Sequence, residues 1–122
     1  MKQYATLLYV DDEPINLTVF ELNFKKKYKV ITASSGKEGL LRLEENRDIM
    51  IVISDMKMPG MDGIEFIRKA KENFDSITCF ILTGFDITDD ISKALEENII
   101  RKYFRKPFNV KEIDSTIAKI LE

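Results

Sequence analysis

Short apolar runs alternate along the chain with longer segments in which apolar residues recur every three to four positions. The short runs are rich in β-branched and aromatic residues, and they predict five β-strands. They cover residues 6–10, 29–33, 50–54, 77–82 and 102–105. The intervening segments predict helices, so the chain is organised as five consecutive strand and helix units, a (βα)5 pattern.

The predicted helices begin at residues that commonly start helices. Pro14 opens the first helix, Asp62 is a plausible cap of the third, and the last begins near Asn109. The second follows Ser34-Ser35-Gly36, and the fourth covers roughly residues 88–97. In the first helix the apolar residues at helical offsets are Ile15, Val19, Phe20, Leu22 and Phe24.

Strand and helix alternation of this kind implies a doubly wound α/β domain: parallel strands, right-handed crossovers, and helices on both faces of one sheet. The three middle runs are nearly continuous in apolar residues, which suits strands buried on both sides. In the fifth run Arg101, Lys102 and Arg105 interleave with Tyr103 and Phe104, as is typical of an edge strand. Open parallel sheets bind ligands beyond the carboxyl ends of their strands.

Composition bounds the function. The 122 residues, of which 44% are hydrophobic, suffice for one compact core, so a single domain over residues 1–122 is expected. A net charge of -2 indicates no direct nucleic-acid or membrane partner. The run Lys25-Lys26-Lys27 is expected to be a solvated helix end. The absence of histidine excludes His-ligated zinc, a Ser-His-Asp triad and a phosphohistidine on this chain.

Cysteine usage and hydropathy favour a soluble, cytoplasmic protein. Cys79 is the single cysteine and is expected to pack as a small hydrophobic residue. No run of about 18 apolar residues occurs, and acidic residues follow the N-terminal segment too soon for a signal peptide.

Polar residues follow four of the five predicted strands. Asp11 and Asp12 follow the first, Asp55 the third, Thr83 the fourth and Lys106 the fifth. Each has an ordinary interpretation alone: a helix cap for the acidic pair, a strand end for Asp55, a turn for Thr83, a solvated side chain for Lys106. Because each strand and helix unit returns the chain to the same edge of the sheet, their coincidence favours one shared site.

Three carboxylates in one cleft repel one another by several kcal/mol unless cations offset them; a single pair about 4 Å apart costs roughly 4 kcal/mol at an effective dielectric of about 20. Lys106 can offset one charge, and a divalent metal the others. Oxygen ligands without His or Cys select Mg²⁺, Mn²⁺ or Ca²⁺. A metal beside a carboxylate, with a hydroxyl and a lysine for phosphoryl oxygens, predicts a phosphoryl-transfer site.

The segments YVDDEP, ISDMKMPGMDG, ILTG and YFRKPF, in this order and at these distances, closely resemble the receiver (CheY-like) domain of two-component response regulators. The resemblance spans essentially the whole chain. It implies a flavodoxin-like sheet of order 2-1-3-4-5. It also leaves open that the chain is part of a longer multidomain protein.

The resemblance also implies roles for individual residues. Asp55 would be the phosphoacceptor, and Mg²⁺ would be held by Asp11, Asp12, Asp55 and the backbone carbonyl of Lys57. The switch hydroxyl would be Thr83 beside the small Gly84, and Lys106, joined to Pro107 by a cis peptide bond, would pair with phosphoryl oxygens. Tyr103 would be the switch aromatic that moves when Thr83 turns toward the phosphoryl group.

By the same resemblance, the phosphoryl donor would be a histidine kinase or a histidine phosphotransfer protein. The surface of the fourth helix, fifth strand and fifth helix would engage an output domain, a downstream protein or, on phosphorylation, a second copy. The chain would promote only its own phosphorylation and dephosphorylation. Lys57 and Phe85 occupy positions where such domains vary, so the dephosphorylation rate stays open.

Three alternatives remain at this point. The first is a small Mg²⁺-dependent aspartyl-phosphate phosphatase of the dehalogenase type. The resemblance of such phosphatases is to a different order of motifs along the chain, with the nucleophilic Asp after the first strand and the acidic pair late. A flavodoxin-like nucleotide binder needs a Gly/Ser/Thr-rich phosphate loop, where this chain has the acidic DDEP. A phosphorylation-independent interaction module is disfavoured because every expected site residue is present.

Overall fold

The computed structural model describes residues 4–84 and 86–122, and its five strands form one fully parallel sheet of order β2-β1-β3-β4-β5. The strands are β1 (Thr6–Val10), β2 (Lys29–Ala33), β3 (Ile49–Asp55), β4 (Thr78–Thr83) and β5 (Lys102–Arg105). The helices are α1 (Pro14–Phe24), α2 (Gly36–Glu45), α3 (Gly63–Asn73), α4 (Asp89–Glu96) and α5 (Val110–Leu121). The predicted (βα)5 fold and strand order are confirmed.

Helices cover both faces of the sheet, and each face has its own apolar core. On one face Phe20 and Phe24 of α1 pack with Ile113 and Ile117 of α5. On the other face the core includes Leu43 of α2, Phe66 and Ile67 of α3, and Ile91 of α4. The two layers bury β1, β3 and β4 almost completely.

Burial corrects one strand prediction. β3 and β4 are buried as expected, but β2 is an edge strand in which Lys29 is exposed and Val30, Ile31 and Thr32 are only half-buried. The third central strand is β1, which is fully buried and whose neighbours in the sheet are β2 and β3. β5 is the other edge, as its interleaved charges predicted.

Side-chain caps begin four of the helices. Ser35, Asp62, Thr88 and Asn109 each accept a hydrogen bond from the backbone N–H three residues further on. These caps satisfy donors that the first helical turn leaves unpaired, and they fix where each loop beyond a strand ends. α1 instead begins at Pro14, which has no backbone N–H and therefore leaves no donor to be satisfied at that position.

α1 has two distinct faces, and the apolar residues predicted at helical offsets divide between them. Phe20 and Phe24 are buried, whereas Ile15, Val19 and Leu22 are 75%, 40% and 58% exposed. The inner face is aromatic: Tyr9 of β1 stacks on Phe20 with ring centroids 4.1 Å apart, and Phe20 stacks on Phe24 at 4.4 Å. The outer face of α1 therefore carries exposed apolar residues that are not part of the buried core.

Three other predictions have structural outcomes. Cys79 is buried, as expected for a small hydrophobic residue. The three lysines after α1 are exposed, and Lys27 pairs with Asp114 of α5 at 2.7 Å. Within the described residues, none of the helices has the length and apolar character needed to span a membrane. Phe85, considered above for the dephosphorylation rate, lies outside the described residues.

Candidate functional site

The predicted site residues converge at one edge of the sheet because neighbouring parallel strands end there together. Asp55 ends β3 opposite Leu82 of β4, and Thr83 ends β4 opposite Arg105 of β5. The Lys106 N–H continues the ladder by donating to the Thr83 carbonyl at 2.8 Å. Backbone hydrogen bonding therefore sets the spacing between the Asp55 carboxylate, the Thr83 hydroxyl and the Lys106 ammonium.

The acidic residues form one cluster. Asp11, Asp12 and Asp55 each offer a carboxylate oxygen, and these three oxygens lie within 4.8 Å of one another. Asp11 is completely buried and Asp55 is 6% exposed, whereas Asp12 is half-buried. A group of hard oxygen donors at this separation fits a divalent cation such as Mg²⁺ or Mn²⁺.

Lys106 is the cation of the cluster. Its Nζ lies 2.9 Å from Asp55 Oδ1 and 3.9 Å from Asp11 Oδ2. Burial raises the pKa of Asp55 above its ordinary value of 3.8; the Lys106 hydrogen bond opposes this, and the Asp11 and Asp12 charges add to it. The Lys106 ammonium therefore does not cancel the effects of burial and of the neighbouring negative charges on Asp55.

Asp11 is held by three neutral donors. Its Oδ1 accepts from the Glu13 backbone N–H at 3.0 Å. Its Oδ2 accepts from the Tyr9 hydroxyl at 2.7 Å and from Asn16 Nδ2 at 3.1 Å. Sequence reasoning missed Tyr9 and Asn16. The spacing of Tyr9 and Asp11 could have indicated the first contact, because residues two apart on a strand point to the same side of the sheet.

The remaining predicted residues surround this cluster. Thr83 is 1% exposed at the end of β4. Gly84 follows it, and a Cβ added at this glycine would lie 3.8 Å from Lys106 Cδ, an ordinary contact. The peptide bond between Lys106 and Pro107 is cis. Tyr103 is half-buried on β5 against the core shared with α3 and α4. Lys57 is exposed in the loop after β3.

Gly63 closes the loop that carries Asp55 into α3. A Cβ at this position would lie 2.3 Å from the Asp55 carbonyl oxygen and 2.9 Å from Ile81 Cδ1. The Gly63 N–H donates to the Met56 carbonyl at 2.8 Å. The start of α3 therefore packs directly on the backbone of the candidate phosphoacceptor, which only glycine permits without displacement.

Comparison with known proteins agrees with this geometry. A family model described as "Response regulator receiver domain" matches residues 7–118. Among curated proteins, sporulation initiation phosphotransferase F of Bacillus subtilis is 32% identical over 94% of this chain and 92% of its own length. The transcriptional regulatory protein PhoP of Bacillus subtilis is 33% identical over 94% of this chain and 48% of its own length.

Solved structures give the same result. A response regulator receiver domain protein from Clostridium thermocellum superposes with a TM-score of 0.88 and 33% identity, over 94% of this chain and 92% of that one. The signal receiver domain of an HD domain-containing protein from Pseudomonas fluorescens superposes with a TM-score of 0.87 and 26% identity, over 98% and 95%.

The chain belongs to the response regulator receiver domain family. It is a receiver domain of two-component signal transduction, and such domains act as phosphorylation-activated switches. It spans 24% of the hydrogenase transcriptional regulatory protein HoxA of Cupriavidus necator and about half of PhoP. Some relatives thus carry this domain beside others.

Proposed function

We propose that this receiver switches on phosphorylation of Asp55. The observation that carries the proposal is the position of the Asp55 carboxylate: nearly buried, 2.9 Å from Lys106, and beside the carboxylates of Asp11 and Asp12. A carboxylate activated in this way is a nucleophile for phosphorus, and the product is an acyl phosphate.

Asp11, Asp12, Asp55 and the backbone carbonyl of Lys57 would hold Mg²⁺, with Mn²⁺ as a substitute. When bound, the cation would supply positive charge that offsets negative charge on the transferred phosphoryl group. The deficit of positive charge around Asp55 supports this assignment, because Lys106 alone does not return the pKa of Asp55 to its ordinary value.

In the transfer step an ionised oxygen of Asp55 attacks the phosphorus of a phosphohistidine. The bond from phosphorus to the histidine nitrogen breaks, and its electron pair stays on the imidazole of the donor. Lys106 contacts an oxygen of the carboxylate that receives the phosphoryl group. Its ammonium is therefore placed to offset negative charge on the transferred phosphoryl group. The chain promotes its own phosphorylation and dephosphorylation and acts on no further substrate.

Thr83 and Tyr103 would report the modified state. Thr83 is buried at the end of β4, where the new phosphoryl oxygens would offer it an acceptor, and Tyr103 is only half-buried two residues before Arg105. Movement of both would change the exposed surface of α4, β5 and α5. Exposed ion pairs lie at this surface and beside it: Lys102 with Glu112 at 3.6 Å, and Arg105 with Asp86 of the loop before α4 at 3.4 Å.

The donor would be a histidine kinase or phosphotransfer protein, and the output an attached domain, a downstream protein or a second copy of the chain. α1 supports a protein donor, because its exposed apolar residues Ile15, Val19 and Leu22 begin directly after the acidic loop. A partner that places phosphohistidine over Asp55 would cover this helix. We treat residues 1–122 as one receiver unit, and its expected location is the cytoplasm.

The deciding experiment is intact-mass measurement after incubation with acetyl phosphate and Mg²⁺. Wild type should gain one phosphoryl group, and Asp55→Ala should gain none. Asp86→Ala is the control, because that carboxylate is 97% exposed and is not one of the three clustered carboxylates. Absence of the adduct in wild type, or equal uptake by Asp55→Ala, would remove the proposal. Release of phosphate from a simple phosphomonoester would favour a phosphatase instead.

A further inference from the structure

A buried phenol contacts the acidic cluster from inside the fold. The Tyr9 hydroxyl donates to Asp11 Oδ2 at 2.7 Å, and both residues are completely inaccessible to solvent. None of the roles considered above for the cluster uses this hydroxyl. Its distance is that of a charge-assisted O–H···O⁻ hydrogen bond, which is about twice as strong as a neutral one.

Packing within the fold holds the phenol ring of Tyr9 in place. Tyr9 lies in the buried strand β1, and its ring stacks on Phe20 with an interplanar angle of 7°. The stacking and the burial therefore hold the hydroxyl at Asp11, away from water.

Asp11 depends on such donors. A fully buried carboxylate is strongly destabilising unless it is paired or fully hydrogen-bonded. The only cation paired with Asp11 within the described residues is Lys106, at 3.9 Å, and that ammonium lies closer to Asp55. Tyr9, Asn16 and the Glu13 N–H supply the remaining stabilisation. Of the two side-chain donors, only Tyr9 is fully buried.

We propose that Tyr9 is a positioning residue, whose hydroxyl holds the Asp11 carboxylate oriented toward Asp55 so that the acidic cluster is preorganised for a divalent cation. The inference rests on the proposed assignment of Asp11 to the metal site. Partners that orient a metal ligand in this way typically change metal affinity about 10- to 100-fold when they are removed.

The test compares two deletions of a single hydroxyl. Tyr9→Phe keeps the ring stack and removes the donor to Asp11. Tyr28→Phe is the matched control, because its hydroxyl donates at the same distance, 2.7 Å, to Asp114 of α5. Binding of Mn²⁺ to the unphosphorylated variants is measured by calorimetry. Tyr9→Phe should weaken binding about tenfold or more. Tyr28→Phe should stay within about twofold of wild type, because it leaves every ligand partner in place.

A second readout separates positioning from general loss of structure. In Tyr9→Phe, the Mg²⁺ concentration for half-maximal uptake of phosphoryl groups from acetyl phosphate should rise by the same factor. The rate at saturating Mg²⁺ should change far less. Wild-type Mn²⁺ affinity in Tyr9→Phe, or equal weakening in both variants, would overturn the proposal.

Two further results also decide it. If Tyr9→Phe does not fold, the hydroxyl proton of Tyr9 is followed by NMR in wild type, with Tyr28→Phe identifying the other hydrogen-bonded phenol. Mg²⁺ should shift the Tyr9 resonance and leave that of Tyr28 in place, and an unmoved Tyr9 resonance refutes the inference. A last outcome separates the two proposals. If Tyr9→Phe weakens Mn²⁺ binding and Tyr28→Phe does not, but wild type takes up no phosphoryl group, the role of Tyr9 is supported and the proposed phosphorylation of Asp55 is refuted.

Discussion

The Lys106 ammonium lies 2.9 Å from the Asp55 carboxylate, yet it does not restore an ordinary pKa to that group. Burial is the largest influence, and the neighbouring carboxylates of Asp11 and Asp12 act in the same direction. Ionised Asp55 is thus destabilising to the folded chain before any metal or phosphoryl group arrives. Several measurable consequences follow from this imbalance and from the packing around it.

The first consequence is that the Asp55 carboxylate weakens the fold at neutral pH. Because the folded-state pKa is raised, its contribution to stability is most favourable below the unfolded value near 3.8 and declines as pH rises through the folded-state value. Asp55→Asn mimics the protonated form. In EDTA at pH 7 it should raise the free energy of unfolding by on the order of 1 kcal/mol, and the gain should vanish in acid.

Asp114 provides a control of opposite sign. Hydrogen bonds from Lys27 and Tyr28 lower the pKa of this carboxyl in the folded state. The ionised carboxylate therefore stabilises the fold at pH values above its unfolded-state pKa of 3.8, and this stabilisation is lost as pH falls through the folded-state pKa. Asp114→Asn should therefore destabilise the protein at pH 7. Urea unfolding at several pH values measures both variants, and a gain from Asp55→Asn that is independent of pH would contradict the account.

Divalent metal should stabilise the unphosphorylated chain through the same cluster. Binding to the folded state alone adds about 2.7 kcal/mol at 100 times the dissociation constant. Mg²⁺ should therefore raise the melting temperature of wild type. Asp12→Asn should abolish most of the increase, because it removes one of the three clustered carboxylates. The exposed Asp86→Asn should retain it. Equal Mg²⁺ shifts in both variants would argue against the cluster as the binding site.

Gly63 and Gly84 both adjoin the site, but they should tolerate alanine differently. A Cβ on Gly63 would meet the Asp55 carbonyl oxygen at 2.3 Å, so the backbone must move, at a cost of about 1–3 kcal/mol. Among the described residues, a Cβ on Gly84 would meet only the Lys106 side chain, at 3.8 Å, so its effect should stay within about 0.5 kcal/mol. Denaturant unfolding of Gly63→Ala and Gly84→Ala tests the contrast, and similar stabilities would show that the α3 start can shift freely.

The exposed face of α1 should matter for a protein donor and not for a small one. Ile15→Asp places a charge on a residue that is 75% exposed, so stability and phosphorylation by acetyl phosphate should hardly change. Transfer from a phosphorylated histidine kinase or phosphotransfer protein that serves wild type should slow at least about tenfold, since a charge would be buried against the partner. Leu41→Asp on α2, 51% exposed, is the control. Equal transfer rates in the two variants would exclude α1 from the docking surface.

Much of this fold can be predicted from the sequence, because strand length and the helical period of apolar residues are local properties. β3 and β4 begin and end within one residue of their predicted bounds. Burial is less local. β2 and β3 both contain continuous apolar runs, but only position in the sheet makes one an edge and the other a centre. Likewise, helical offsets alone could not show that Ile15 faces solvent while Phe20 faces the core.

The site was predictable at the level of which residues meet, because parallel strands deliver their ends to one edge. The strength of each contact was not. That Asp11 is fully buried, and that it relies on Tyr9 and Asn16, follows from side-chain packing around β1 and α1. Tyr9 reads in the sequence as one more aromatic strand residue, and only the structure shows its hydroxyl at a carboxylate.

The aromatic inner face of α1 separates two kinds of constraint along one helix. Phe20 and Phe24 anchor it through ring stacking, and neither contributes to the outer surface. Residues on the outer surface can therefore be exchanged with little effect on folding or on the acidic cluster. A library of variants at positions 15, 19 and 22, displayed on this unchanged core, would be a direct route to receivers that accept phosphoryl groups from different donors.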